Sequence, residues 1–505
     1  MLAAIRAATL FGVEGRQVTV EVHVSTGLPG FQMVGLPDEA CRESRDRVRA
    51  ALLSSGLPWP ATRITVNLAP SDRRKGGSGL DLAIAVGLLV ASGQIPAERA
   101  EHLGFLGELG LDGSVRSVAG VAPMVAALGD ARAVVPVSSY REARAVCAGE
   151  VQVAANLADL VAALQGLRPW PDPPIDVETD DEEPLPDLAD VRGQSAARFA
   201  LEVAAAGEHH VLMVGSPGSG KTMLAQRLTG LLPPLDSARA LEATMVHSAA
   251  GVRLPATGVI RRAPFRAPHH SSSMVSLVGG GSTNVRPGEI SLAHGGVLFL
   301  DELGEFTPAV LDGLRQPLEE GVIRISRARA TACLPARFLL VAATNPCPCG
   351  GGPPGSCECD DTARLRYLRR LSGPLLDRFD LRVAVDRPEV DDLLQIGGGE
   401  SSAAVAVRVA AARDVAHDRA GVSNARLSGD LLDRTAVLSA PAKDLLRQEL
   451  EANRLTGRGY HRLRRVARTV ADLMGDVEHV VHEHHVAMAM QLRVRLGSAV
   501  RGRAA

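Results

Sequence analysis

The stretch that decides the fold is His209-His210-Val211-Leu212-Met213-Val214-Gly215-Ser216-Pro217-Gly218-Ser219-Gly220-Lys221-Thr222-Met223-Leu224-Ala225-Gln226-Arg227-Leu228. Its first part is a short apolar run with the pattern of a buried strand, and its last part has helical spacing. Between them Gly215 to Thr222 follows the order G-x-x-x-x-G-K-T. In a strand-to-helix context such glycines let backbone N–H groups close around phosphate oxygens at a helix N-terminus. Lys221 then reaches the β and γ phosphates, and the Thr222 hydroxyl is a ligand for Mg²⁺. A dinucleotide fingerprint on Gly218-x-Gly220 fails, because Met223 stands where its third glycine belongs.

Further along, Gly296-Val297-Leu298-Phe299-Leu300-Asp301-Glu302 is an apolar strand pattern that ends in two carboxylates. Asp301 is expected to hold the Mg²⁺ shell, and Glu302 to polarise the water that attacks the γ-phosphate of ATP. An apolar run ending in Asp-Glu is common by itself. It gains weight from a third matching strand, Phe338-Leu339-Leu340-Val341-Ala342-Ala343-Thr344-Asn345, which would deliver Asn345 to the same water.

The 505 residues suffice for two to four domains at the usual ~100 to 200 residues each. Hydrophobic residues make up 46%, charged residues 22% and aromatic residues only 3%, so the cores are aliphatic and the chain is neither disordered nor built for base stacking. With 55 Lys plus Arg against 57 Asp plus Glu the formal net charge is -2, and any contact with nucleic acid must be local. Lysine occurs only at Lys75, Lys221 and Lys443, which marks the phosphate-loop lysine as a place where a compact ammonium matters. The longest apolar run, Leu82 to Ala91, is far short of the ~20 residues of a membrane span, and Met1 to Leu10 reads as a first strand rather than a leader. A cytoplasmic protein with no membrane partner is expected. Seven cysteines without a secretion signal point to reduced thiols or a metal site rather than a disulfide framework.

Residues 169–190 are acidic and proline-rich and read as a solvated linker. Before it, strand patterns at Val18–Val24, Ile64–Leu68 and Ala133–Val137 mix with helical ones at Glu39–Leu53, Leu80–Ala91 and Val121–Leu128. A second α/β pattern runs to about Val385. From about Val390 the periodicity is helical, with Leu427, Leu431, Leu432, Leu438, Leu445 and Leu446 expected on buried faces.

Several segments together resemble the YifB/ComM family of magnesium-chelatase-like AAA+ ATPases. They are Asp190-Val191-Arg192-Gly193-Gln194, the phosphate loop, Phe265-Arg266-Ala267-Pro268-His269-His270, Arg286-Pro287-Gly288-Glu289-Ile290-Ser291-Leu292-Ala293-His294, Asn345-Pro346-Cys347-Pro348-Cys349-Gly350, and Ser372-Gly373-Pro374-Leu375-Leu376-Asp377-Arg378-Phe379-Asp380. The resemblance implies an α/β chain in three parts joined by the linker. Residues 1–168 form an N-terminal Lon-protease-like (ribosomal-S5-like) domain, 191–388 a central AAA+ P-loop NTPase αβα sandwich, and 389–505 a C-terminal helical lid. It also implies that Arg378 is an arginine finger completing a neighbouring subunit's site, that Arg458 is the lid's sensor-2 arginine with Arg462 as the alternative, and that the chain assembles into a ring, a hexamer by analogy.

Two stretches are candidates for substrate contact, Arg261 to Gly281 and Val322 to Ala330. In the second, Arg324 alternates with apolar residues, and Arg327 and Arg329 are expected to continue its face on a basic hairpin; the alternative is a solvated edge kept soluble by charge. Cys347-x-Cys349 and Cys357-x-Cys359 follow Asn345 and offer four thiolates to Zn²⁺, although one intervening residue is tighter than the common spacing and reduced loop cysteines are the alternative. Cys41, Cys147 and Cys333 are expected to be packed. The histidines His479, His482, His484 and His485 read as a helix face rather than a metal site.

Arg73-Arg74-Lys75-Gly76-Gly77-Ser78-Gly79-Leu80-Asp81-Leu82, with Gly107-Glu108-Leu109 and Gly113-Ser114-Val115-Arg116, carries the Lon-like resemblance. No lysine follows Arg116 where the Lon pattern places its catalytic one, so peptidase chemistry is disfavoured. The expected function is that of an ATP-driven ring motor on single-stranded, forked or four-way DNA, by branch migration or helicase action in recombination or natural transformation. The alternatives are a MoxR-like protein remodeller and, last, a magnesium-chelatase subunit.

Overall fold

The computed structural model describes residues 1–505 apart from 148, 176–182, 282–284, 328–329, 351–356, 358, 361, 364–365, 368–372, 395–398, 477 and 495–505. The chain begins with a seven-stranded sheet of β1 (Leu2–Phe11), β2 (Glu14–Ser25), β3 (Gly30–Val34), β4 (Arg63–Ala69), β5 (Leu103–Phe105), β6 (Arg132–Pro136) and β7 (Val151–Ala154), in spatial order 3-4-2-1-5-6-7. Residues Leu2–Phe11 are therefore a strand, paired antiparallel with β2 from Leu2↔His23 to Phe11↔Glu14. In β2 the alternation buries Val18, Val20 and Val22 on one face.

That face is covered by the helix Asp81–Ala91, all of whose residues are buried. An apolar surface on every side is what a helix needs when it lies within a core. The approach is close at Gly87, where a Cβ would come 2.7 Å from Cγ2 of Val22. Asp81 opens this helix with no exposed side-chain surface. Arg47, from the helix Glu39–Ser54, donates to it through Nε at 2.6 Å and Nη2 at 3.0 Å, and the Ser44 hydroxyl donates as well. Burial pushes the Asp81 carboxyl up, and these donors work against that push.

The second sheet has five strands, all parallel: β8 (Val211–Val214), β9 (Phe265–Arg266), β10 (Val297–Leu300), β13 (Leu339–Thr344) and β14 (Leu381–Ala384), in spatial order 9-10-13-8-14. Between β10 and β13 the chain makes an antiparallel hairpin of β11 (Val322–Arg327) and β12 (Ala330–Pro335). β8, β10 and β13 are continuous buried runs, as strands covered on both faces must be. Helices follow from Val390 to Gln491. Val405, Leu427, Leu432, Leu446 and Leu463 of this region share one core with Val211, Met213 and Val341 of the sheet. Leu438 is buried too, whereas Leu431 and Leu445 are only partly so. A parallel-sheet core with a helical C-terminal region is consistent with an AAA+ fold.

The two sheets are joined by specific contacts. Gly120 N–H donates to the Ser248 carbonyl at 2.9 Å, and Ala122 N–H to Glu142 Oε1 at 2.9 Å, while the Ser248 hydroxyl donates to the same carboxylate. Phe11 and Val13 at the β1–β2 turn pack in the cluster that holds Ile323, Ala332 and Leu334 of the hairpin.

One expectation is corrected, that Cys333 is packed. At the described ends of residues 169–190, Trp170 packs on the first core and Leu188 is 1% exposed in the second. In the hairpin Arg324 is exposed, while the side chain of Arg327 and the whole of Arg329 lie outside the described residues. Cys333 is exposed, since it pairs across the hairpin with Arg324 on the outer face, while Cys41 is buried and Cys147 half-buried.

Candidate functional site

Three adjacent parallel strands, β10, β13 and β8, end at the same edge of the sheet, and their C-terminal residues lead into Asp301, Asn345 and Gly215. Register decides this convergence: Val214 pairs with Thr344, and Leu300 with Ala342. In the loop Gly215-Ser216-Pro217-Gly218-Ser219-Gly220-Lys221-Thr222, Gly218 and Gly220 adopt φ of 74° and 89°, left-handed values that glycine reaches without strain. Gly215 is required for space, because a Cβ there would lie 2.1 Å from the Val385 carbonyl oxygen.

Lys221 starts the helix Lys221–Arg227, and its ammonium donates to the carbonyls of Gly215 and Ser216 at 2.8 Å each and to Oδ1 of Asn345 at 3.4 Å. Burial lowers its pKa, and Asp301 and Glu302 pull it back up. The Thr222 hydroxyl donates to Oδ2 of Asp301 at 2.7 Å. These two hard oxygens are near enough to share one Mg²⁺. Among the described residues Ser219 Oγ is buried without a hydrogen-bond partner, and beside it Gly218 borders open space, where a Cβ would meet no atom within 4 Å. The donor set and the cradle both fit a Mg²⁺-nucleotide.

Glu302 follows Asp301 with φ of 51°, an uncommon conformation for a residue with a side chain and one worth of order 1–3 kcal/mol of strain. Its carboxylate meets Nδ1 of His270 at 3.1 Å. His270 belongs to the stretch marked from sequence as a candidate for substrate contact, so that stretch reaches the carboxylate that follows Asp301. Sequence reading assigned no role to Gln194 or Arg387 either. Gln194 holds a left-handed φ of 52° and donates through Nε2 to Ser219 O at 2.6 Å and Asp386 O at 3.0 Å. Arg387 reaches the Pro217 carbonyl at 3.5 Å. The available signal for Gln194 was its place in the Asp190–Gln194 segment.

The arginines stand at the other edge. Arg378 precedes β14, whose first residue Leu381 pairs with Val211 at the start of β8. At ~3.3 Å per residue, the length of β8 alone separates Arg378 from its own phosphate loop by about 10 Å. It pairs with Glu319, and Arg462, Arg315 and Arg458 lower its pKa after burial has done so. Arg458 is 78% exposed with Asp377 at 3.9 Å, and Arg462 pairs with Asp380 at 3.4 Å. Arg378, Arg458 and Arg462 therefore form one cluster, away from the same chain's nucleotide loop.

Beyond Asn345, the sulfurs of Cys347, Cys349, Cys357 and Cys359 all lie within 4.8 Å of one another, so the cluster can bind a metal. The C-terminal histidines open the helix Glu483–Gln491, where His485 is buried and accepts from the His482 N–H. His484 and His485 also approach Asp476 closely enough to form a second possible metal group. In the first sheet Lys75 is buried and its ammonium donates to the Arg73 carbonyl at 2.8 Å; among the described residues no hydrogen bond joins it to Ser78.

A parallel sheet, a phosphate loop opening a helix, and an Asp-Glu strand end define the class of P-loop nucleotide-binding proteins. Family models extend this. Residues 187–393 match "Magnesium chelatase, subunit ChlI", 20–139 "Subunit ChlI of Mg-chelatase", and 399–493 "Magnesium chelatase, subunit ChlI C-terminal". An uncharacterised protein of Mycobacterium tuberculosis is 47% identical over 489 residues, covering 95% of this chain and 96% of its own. Competence protein ComM of Haemophilus influenzae is 44% identical over 502 residues, and the uncharacterised protein YifB of Escherichia coli 41% over 496, each match covering 97% of both chains. The chain belongs to the YifB/ComM family of magnesium-chelatase-like proteins. Membership of this AAA+ family suggests an ATPase and implies the use of nucleotide and Mg²⁺. Among the described residues no helix is long and apolar enough to cross a membrane.

Proposed function

We propose that this protein is an ATP-hydrolysing ring motor that acts on DNA, with residues 1–168 as a Lon-like domain, 169–190 as the connecting segment, 191–388 as the ATPase module and 389–505 as the lid. Gly215 to Thr222 hold the phosphates of ATP, and Thr222 and Asp301 hold Mg²⁺, which neutralises phosphate charge when bound. Glu302 orients and polarises the attacking water, Asn345 fixes its position, and Arg378 completes the site of the neighbouring subunit. The observation that carries this reading is the opposition of edges. The phosphate loop and the arginine cluster of one chain lie at opposite ends of the same sheet, so a complete site requires a second copy. A closed ring, hexameric by analogy, supplies every site with a finger.

The DNA assignment rests on the 44% identity to a protein named for competence, and branch migration or helicase action is the form of it that the resemblance implies. The same reading includes a cytoplasmic location and a zinc ion on Cys347, Cys349, Cys357 and Cys359. Peptidase activity is left aside, because Lys75 is engaged by a backbone carbonyl. The test is the steady-state ATPase rate with single-stranded DNA, duplex, four-way junction or unfolded protein, using Glu302→Gln as the blank. Stimulation by forked and four-way DNA that falls with salt supports the motor on DNA. Stimulation by unfolded protein alone replaces it with a remodeller.

A further inference from the structure

The loop that leaves Asn345 touches the nucleotide site twice. Asn345 accepts from the Lys221 ammonium at 3.4 Å. Five residues later Gly350, at φ of 74°, lies so close to the phosphate loop that a Cβ would meet Cδ and Cγ of Pro217 at 2.5 Å. Between these contacts the backbone turns, with Gly350 N–H donating to the Cys347 carbonyl at 3.1 Å. Cys347 is fully buried. A short turn rich in glycine and proline has little apolar surface with which to hold this position, so something else must restrain it.

Four sulfurs gather at that turn. Cys347 and Cys349 are 3.4 Å apart at Sγ, well beyond the ~2.05 Å of a disulfide. All four sulfurs, including those of Cys357 and Cys359, lie within 4.8 Å of one another. A tetrahedral metal with ~2.3 Å bonds to sulfur places its ligands about 3.8 Å apart, which is the scale of this cluster. A cluster of several irons would hold the sulfurs wider. Four soft thiolates around one position leave no site open for substrate, the mark of a structural rather than a catalytic zinc.

We infer that Cys347, Cys349, Cys357 and Cys359 bind one Zn²⁺ that clamps the turn against Pro217, so that metal occupancy sets how firmly the phosphate loop holds nucleotide. The clamp rests on the nucleotide-site reading above and adds a regulator to it. Binding replaces four thiol protons by the metal and changes no oxidation state. Without the ion the four sulfurs return to neutral thiols with no shared bond to a metal, and Gly350 is released from Pro217 and Asn345 from Lys221 together.

The experiment uses the full-length protein. Elemental analysis of chain purified without chelator should find one zinc per chain, and reconstitution with Co²⁺ should give thiolate-to-cobalt charge transfer with the strong visible bands of a tetrahedral site. C357S/C359S should lose both signals. Affinity for a fluorescent ATP analogue should fall roughly tenfold in that variant and in chelator-treated wild type, and return when Zn²⁺ is restored to the latter. Gly350→Ala, which leaves every sulfur in place, should keep its zinc and still bind nucleotide more weakly. Absence of zinc together with absence of the cobalt spectrum overturns the site, and zinc loss with unchanged affinity overturns the clamp. Lys221→Ala separates the two readings, since it should keep its zinc while losing nucleotide; failure of wild type to bind ATP with zinc present would sink the nucleotide site and the clamp with it, and leave the zinc site standing.

Discussion

Lys221 and Glu302 sit within one strand end of each other yet should fail differently. Lys221 is the buried cation of the loop, held by Gly215 and Ser216, and Lys221→Ala is expected to abolish binding of a fluorescent ATP analogue. Glu302→Gln keeps the size and the left-handed backbone of the position but removes the charge that we propose polarises water. It should bind ATP as wild type does and lose at least ~10²-fold in steady-state hydrolysis. Tight binding by the first variant, or normal turnover by the second, would contradict the assignment. His270 bears on the same carboxylate through its 3.1 Å contact with Glu302.

Buried charge decides stability among the elements. Arg47 on one helix compensates Asp81 on the next, with side-chain exposures of 19% and 0%. Arg47→Ala would leave a carboxylate unpaired in the first core, and an early thermal transition, about 3–5 kcal/mol weaker, should appear by calorimetry. In the second unit Glu208 lies among Arg239 at 3.1 Å, Arg426 at 3.4 Å and Arg413 at 3.6 Å. Burial raises its pKa, but Arg413, Arg426, Arg239 and the Ser423 hydroxyl outweigh that and bring it to about 2, below the ordinary 4.5. Because the folded value lies below the unfolded one, this stabilisation is complete above about pH 4.5 and is lost as pH falls toward 2. Glu208→Gln should therefore be less stable than wild type near neutral pH, with the gap closing on acidification through that window. A gap that stays constant would remove the carboxylate from the account.

For the whole molecule, the opposed edges of the parallel sheet make a mixing experiment decisive. Arg378→Ala and Lys221→Ala should each lose roughly 10³-fold in ATPase rate. Mixed, they should recover part of it, because an intact loop in the first can face an intact arginine in the second. No recovery in rings shown to have exchanged subunits would place the finger elsewhere. The arginine edge is also tied to the helical region: Asp380 meets Nδ1 of His209 at 3.2 Å, and Nε2 of His209 meets the Thr469 hydroxyl at 2.7 Å. Thus one buried chain of hydrogen bonds links the segment carrying Arg378, the residues before the phosphate-loop strand and the helix Gly457–Leu473.

What could be read from the chain alone was whatever is encoded by near neighbours. Gly215 to Thr222 announces itself because a phosphate cradle needs glycines, a lysine and a hydroxyl at adjacent backbone positions. The strands that carry Asp301 and Asn345 announce themselves as continuous apolar runs for the same reason of local patterning. The sequence also determined the family and the helical character of the described residues between Val390 and Gln491. It left undecided everything that depends on which distant segments become neighbours. Parallel register placed Asp301 beside Thr222 and put Arg378 at the far edge, and long-range packing brought Arg458 and Arg462 to Arg378, His270 to Glu302 and Gly350 to Pro217. Such contacts join residues across tens of positions, where no spacing rule operates, and are selected only when the two faces of each sheet bury their apolar side chains.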